Sequence, residues 1–199
     1  MFSGILSPLR GVVPPIRLAI ALLAFTFAFD ALAQDKPPAA RNFLEEFQQS
    51  LTAVPDAKSL TVHGTVYVPA YSSIRGRTDQ PGSLATLLRI DNTSATKPLV
   101  LERVEYFDTS GKLVQRYVDN PIALKPFGAI QIFIPAEDSR GGPAANFIVT
   151  WGGVAPMVEP LIEAVVFGKV DGAGYSFVSP GRPIRTVGKR PWLGLGLSR

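Results

Sequence analysis

The chain contains no cysteine and a single histidine, His63. Without a thiol there is no disulfide framework, no thiolate nucleophile and no cysteine to carry a lipid anchor. With one imidazole and no sulfur ligand, zinc and copper sites lack suitable donors. A serine triad would have to use His63, and no Gly-x-Ser-x-Gly elbow supplies its nucleophile. The Asp-x-[Asp/Asn]-x-[Asp/Asn]-Gly pattern of a calcium loop is also missing. No metal and no cofactor is expected. Long apolar runs are absent too. The segment Leu18–Phe29, broken only by Thr26, spans 12 residues, and a membrane-spanning helix needs roughly 20.

That short run has a clear setting. Arg10 and Arg17 precede it, and Asp30 and Ala31-Leu32-Ala33 follow it. A charged lead, a short apolar segment and a small-x-small ending form a secretory signal peptide. Residues 1–33 are therefore expected to be removed after Ala33, leaving an exported product, periplasmic or secreted. Residues 34–58 read as a linker with a short amphipathic helix, in which Asn42 caps and Phe43, Phe47 and Leu51 form one stripe. Residues 59–181 read as the folded domain, and residues 182–199 as a basic flexible tail. The formal charge of +4 belongs mostly to that tail, which holds Arg182, Arg185, Lys189, Arg190 and Arg199 and no acid. The body is nearly neutral, so no nucleic-acid face is expected.

From Thr61 onward the apolar residues recur every second position. Eight runs are rich in Val, Ile, Phe, Tyr and Thr: 61–68, 83–91, 99–108, 112–118, 129–134, 146–151, 161–167 and 175–179. Turn chemistry separates them, most clearly Asp108-Thr109-Ser110-Gly111. Short strands at such spacing, with no long helix between them, predict an all-β domain. The expected fold is an immunoglobulin-like antiparallel β-sandwich of about 7–8 strands, with a small β-barrel as the alternative.

Five segments run in order: Val66–Ser72 (VYVPAYS), Glu105–Val114 (EYFDTSGKLV), Gly141–Trp151 (GGPAANFIVTW), Glu159–Val165 (EPLIEAV) and Ser176–Arg182 (SFVSPGR). Together they resemble a bacterial family designated domain of unknown function 3124, over roughly Val62 to Ile184. The resemblance implies an exported protein of Gram-negative or cyanobacterial-type cells, and it assigns no activity, cofactor or catalytic residue. The family pattern often carries a His or another polar residue after the Tyr-Ser pair, where this chain has Ser73. The hairpin Tyr106–Val114 followed by Leu124-Lys125-Pro126 is similar to small secreted immunoglobulin-like domains, a likeness of fold alone.

Three groups of residues invite a functional reading. Tyr71, Ser72, Arg75 and Arg77 cluster aromatic, hydroxyl and cationic groups after the first long strand, as interaction surfaces do. Tyr71, Asn146 and Trp151 are candidates for a small ligand or glycan, although Trp151 shares its strand face with Phe147 and Val149 and so also reads as core. Glu159 and Glu163, with His63, are the available participants for a hydrolase. Glu163 reads either as an outward strand charge or as a partly buried acid. The loop Arg140–Asn146 could present amides to an anion. Arg182, Arg185, Lys189 and Arg190, with Trp192, suit an anionic surface. The expected function is a non-catalytic interaction module of the bacterial envelope, binding an envelope protein or glycan.

Overall fold

The computed structural model describes residues 43–75 and 81–187. The signal segment, Arg77, Lys189, Arg190 and Trp192 lie outside the described residues. A four-residue helix, α1 (Phe43–Glu46), and a 3-10 turn lead into twelve strands. In chain order these are β1 (Leu51–Thr52), β2 (Val62–Ala70), β3 (Ser73–Arg75), β4 (Pro81–Asp91), β5 (Leu99–Phe107) and β6 (Leu113–Val118). There follow β7 (Ile122–Leu124), β8 (Ala129–Ile134), β9 (Ala145–Gly153), β10 (Leu161–Val170), β11 (Ala173–Pro180) and β12 (Arg182–Val187).

All pairings are antiparallel and form two separate sheets rather than a small closed barrel. The seven-stranded sheet runs β1-β7-β5-β9-β2-β12, with β6 also on β5. The five-stranded sheet runs β11-β10-β4-β3, with β8 also on β4. Alternation decides which residues meet between them. On β2, Val62, Val66, Val68 and Ala70 are buried, and they join Leu88, Ile90, Ile130, Ile132, Phe147, Val149 and Ile162 in one core. Trp151 fills the space over Gly64, where its ring atoms lie 2.5 Å from the point a Cβ would occupy. Only glycine fits there. A smaller cluster of Leu84, Val166 and Val170 closes one end, with Tyr71, Ile74 and Phe177 packed on it.

Turn chemistry fixes the registers. Asp108 accepts from the Ser110 amide at 2.9 Å, the Ser110 hydroxyl at 2.7 Å and the Lys112 amide at 2.9 Å. Gly111 takes a φ of +82° behind it. The Ser110 hydroxyl and these amides hold the Asp108 carboxyl below the usual carboxylate range. Between β10 and β11, Asp171 (φ 51°) and Gly172 (φ 79°) make a two-residue turn, whose twist suits a tight hairpin.

The two-sheet sandwich agrees with the sequence, and all eight expected runs are strands. The details need correction. The expected short helix is a single turn that ends at Glu46, before Phe47 and Leu51, which still pack on the core, and its expected cap Asn42 lies outside the described residues. Part of the expected linker is strand β1, paired to β7. The expected tail begins too early: Arg182–Val187 form β12 and pair with β2. That edge strand carries Pro183 and a register shift before Arg185, and its residues are largely exposed. It therefore has no burial alternation for a sequence reading to find.

Candidate interaction surface

The loops at one end bring several expected residues together. Tyr71 lies just past β2, and its ring packs edge-on against Phe177 with centroids 5.5 Å apart. The Ser72 hydroxyl donates to the Gly142 carbonyl, tying this segment to the Arg140–Asn146 loop. Arg75 is exposed at the end of β3. Asn146 stands opposite Pro69 in the sheet. Tyr71 is thus committed to packing, and Ser72 to a loop carbonyl.

The anion reading of the Arg140–Asn146 loop finds no support, because three of its amides already donate to neighbouring protein groups. The Arg140 amide donates to Asp138 at 3.1 Å, the Gly142 amide to Ser139 at 3.1 Å and the Ala144 amide to Thr109 at 3.0 Å. The Asp138 carboxylate also grips the Arg140 guanidinium at 2.7 Å. That bond holds the Asp138 carboxyl below its usual range. Beneath this loop, burial pushes the Tyr106 phenol up to about 12.

Trp151 lies five positions along β9 from Asn146, a separation of about 17 Å by strand rise. It is 2% exposed. Tyr71, Asn146 and Trp151 therefore do not form one glycan site, and Trp151 is core.

A cleft of about 200 Å³ opens where the sheets part between β10 and β12, lined by Val66, Trp151, Glu159, Glu163, Pro180 and Pro183 among others. Small-molecule pockets usually run to about 300–1,000 Å³. Neither Glu159 nor Glu163 takes part in a salt bridge among the described residues. His63 does not join them. It alternates with buried Val62 and so faces outward from the seven-stranded sheet, whereas Glu163 alternates with buried Ile162 and Ala164 and faces outward from the other. One His63 nitrogen meets Glu102 at 2.9 Å and the other the Leu60 carbonyl at 3.1 Å. The hydrolase constellation is not assembled. Among the described residues there is also no group of three His, Cys, Asp or Glu suited to a metal.

The outer face of the five-stranded sheet carries a feature the sequence reading missed. Cross-strand register places Val178, Val165, Leu87 and Phe133 in one row over β11, β10, β4 and β8. The next row holds Ser176, Phe167 and Ala85. Phe133 and Phe167 stack across small Ala85, with centroids 6.3 Å apart and planes 17° apart. Phe133 is 54% exposed, Phe167 40% and Val178 52%. Toward the start of β10 the face turns polar, with Glu163, Arg89 and Gln131 in one row and Asp91 beside Leu161. Arg89 is chelated by Asp91 at 2.8 Å, and Asp91 raises its pKa through that bond. One signal was available: in Leu161–Phe167 (LIEAVVF) both alternating sets are apolar apart from Glu163, the pattern of a strand covered on two sides.

The opposite face is different. Arg182, Tyr67, Ile148, Glu105 and Arg116 follow one another across the seven-stranded sheet, as do Arg185, Thr65, Thr150 and Arg103. Glu105 is paired with Arg116 at 2.9 Å.

These features define a two-sheet antiparallel β-sandwich whose seven-stranded sheet has a mostly polar outer face and whose five-stranded sheet carries an exposed apolar patch beside a polar row. The family described as "Protein of unknown function (DUF3124)" matches residues 63–184, from β2 into β12, and the chain belongs to that family. No curated protein matches the chain. A crystal structure described as that of Thermotoga maritima 1070 is 11% identical, over 60% of this chain and 92% of its own, with a TM-score of 0.33. Family membership assigns no biochemical function.

Proposed function

We propose that this chain is an exported, non-catalytic interaction module of the bacterial envelope that engages a partner protein through the outer face of its five-stranded sheet. One observation carries the reading. Phe133, Phe167 and Val178 are all at least 40% exposed and lie together with Leu87 and Val165, on a surface where a sandwich ordinarily turns polar residues to water. Export is supported by the Arg10–Ala33 pattern. The separation of His63 from Glu163 supports a binding role over hydrolysis. Two all-antiparallel sheets packed face to face support grouping the domain with immunoglobulin-like folds, with twelve strands marking an elaborated form.

A photoreactive amino acid placed at Phe167, and in separate proteins at Thr65 and Tyr71, tests this in growing cells. A discrete crosslinked partner is expected from position 167 and not from position 65. Partner capture from 65 or 71 with none from 167 would move the contact surface elsewhere and defeat the reading.

A further inference from the structure

We infer that the partner of the apolar face is a second copy of this chain, stacked on it about a two-fold axis that lies between the two faces and crosses their strands. This rests on the reading above and names the occupant of that face. The outward residues of β10 carry the argument. In order they are Leu161, Glu163, Val165, Phe167 and Lys169, alternating with buried Ile162, Ala164, Val166 and Val170. An acid and a cation thus stand three residues to either side of Val166, with apolar side chains between them. A two-fold contact is self-complementary, so each residue pair occurs twice. With the axis over Val166, Glu163 of one copy meets Lys169 of the other, and Val165 meets Phe167.

Register extends the match across the sheet. Phe133 stands in the row of Leu87 and Val165, and Phe167 in the row of Ala85, so their ring stack straddles the same axis. Aromatic rings at the centre and polar groups at the rim are the anatomy of a protein interface. At the acidic rim Glu163 faces Arg89, but Asp91 grips that guanidinium, leaving two acids to one cation. Lys169 is exposed and forms no salt bridge among the described residues. Stacked sheets lie about 10 Å apart and cross at about 30°. Three residues from the axis that angle displaces the paired positions by about 5 Å, a gap that Lys and Glu side chains span. Area sets the strength. Four strands by eight residue steps give roughly 500 Å² per copy, and about 1,000 Å² in all is the lower bound of a specific interface. A reversible dimer follows, with a dissociation constant of about 10–100 µM.

Sedimentation of the purified protein over a concentration series tests this. Phe133→Asp with Phe167→Asp should weaken association at least about hundredfold. Glu163→Lys and Lys169→Glu should each weaken it about tenfold. An equal mixture of those two proteins should recover the parent's association, because every 163–169 contact in the mixed dimer again joins opposite charges. Within one chain the two positions lie about 20 Å apart, so recovery reports contact between copies. If Glu163→Lys fails to fold beside Arg89, Glu163→Gln and Lys169→Gln should each weaken association severalfold. A parent protein that stays monomeric at roughly ten times the expected constant overturns the inference. Association that survives the two Asp substitutions overturns it as well, and a mixture without recovery denies the stated pairing. The failures of the two readings are separable. A monomer whose position 167 captures a different protein in cells sinks the second copy and leaves the face as a partner surface. Capture of this chain itself from position 167 upholds both.

Discussion

The two outer faces of this sandwich obey the same alternation rule and end in opposite chemistry. On the seven-stranded sheet, outward positions hold His63, Thr65, Thr150, Arg103 and Glu105 with Tyr67, Ile148 and Val187 spread among them, and the charges pair as His63–Glu102 and Glu105–Arg116. On the five-stranded sheet, outward positions hold Leu87, Phe133, Val165, Phe167 and Val178. Both sheets turn Val, Ile and Leu inward, so the shared core does not explain the difference. What differs is the environment each outer face meets. The polar face suits water, and the apolar face suits a covering.

Four variants break or sharpen that contrast, taken from the largest expected effect on stability to the smallest. Gly64→Val strikes the interior common to both sheets. Its side chain would occupy the place of the Trp151 ring, and a loss of about 3 kcal/mol or more is expected in denaturant unfolding, the upper range for overpacking. Gly152→Ala acts on the polar face. Its Cβ would stand 2.9 Å from the Glu102 carboxylate and 3.2 Å from His63, so the pair must shift, at about 1 kcal/mol by the same measurement.

Asp138→Asn probes the loop end through pH. The Asp138 carboxyl is held low chiefly by its bond to Arg140. A depressed folded-state pKa stabilises above the unfolded value and is lost as pH falls through the folded one. The parent protein should therefore be more stable than Asp138→Asn at pH 7, and the two unfolding curves should converge in strong acid. Curves offset equally at all pH values would remove the carboxylate's charge from the account. Least costly should be Phe133→Asp with Phe167→Asp. Both side chains are exposed, so unfolding should change by less than about 1 kcal/mol, while contacts made by the apolar face are lost. A large loss of stability would recast these rings as structural and erase the contrast between faces.

The two-sheet fold was legible because strands such as β2, β8 and β9 bury one alternating set of residues, as β2 does with Val62, Val66, Val68 and Ala70, while β6 and β11 were marked by composition and turns rather than by burial. The strands that escaped notice, β1, β3, β7 and β12, are edge or very short segments with little to bury. The Asp108–Gly111 turn was legible because its hydrogen bonds are local to five residues. Grouping Tyr71, Asn146 and Trp151 failed because sequence proximity does not report position along β9 or which side of the sheet a residue faces. Trp151 went to the core because Gly64 leaves a space for its ring. Leu161–Phe167 hinted at the apolar face with its two apolar sets, and cross-strand register assembled it by setting Phe133, Leu87, Val165 and Val178 side by side from four separate segments.

The most direct test of the central claim is carbene footprinting of the chain in the intact bacterial envelope, read peptide by peptide by mass spectrometry. The account predicts that peptides bearing Phe133, Phe167 and Val178 are labelled much less than their exposure in the isolated sandwich allows, while those bearing Thr65, Tyr67 and Arg103 are labelled as that exposure dictates. Full labelling of Phe133 and Phe167 would show the apolar face bare in the envelope and would contradict the account.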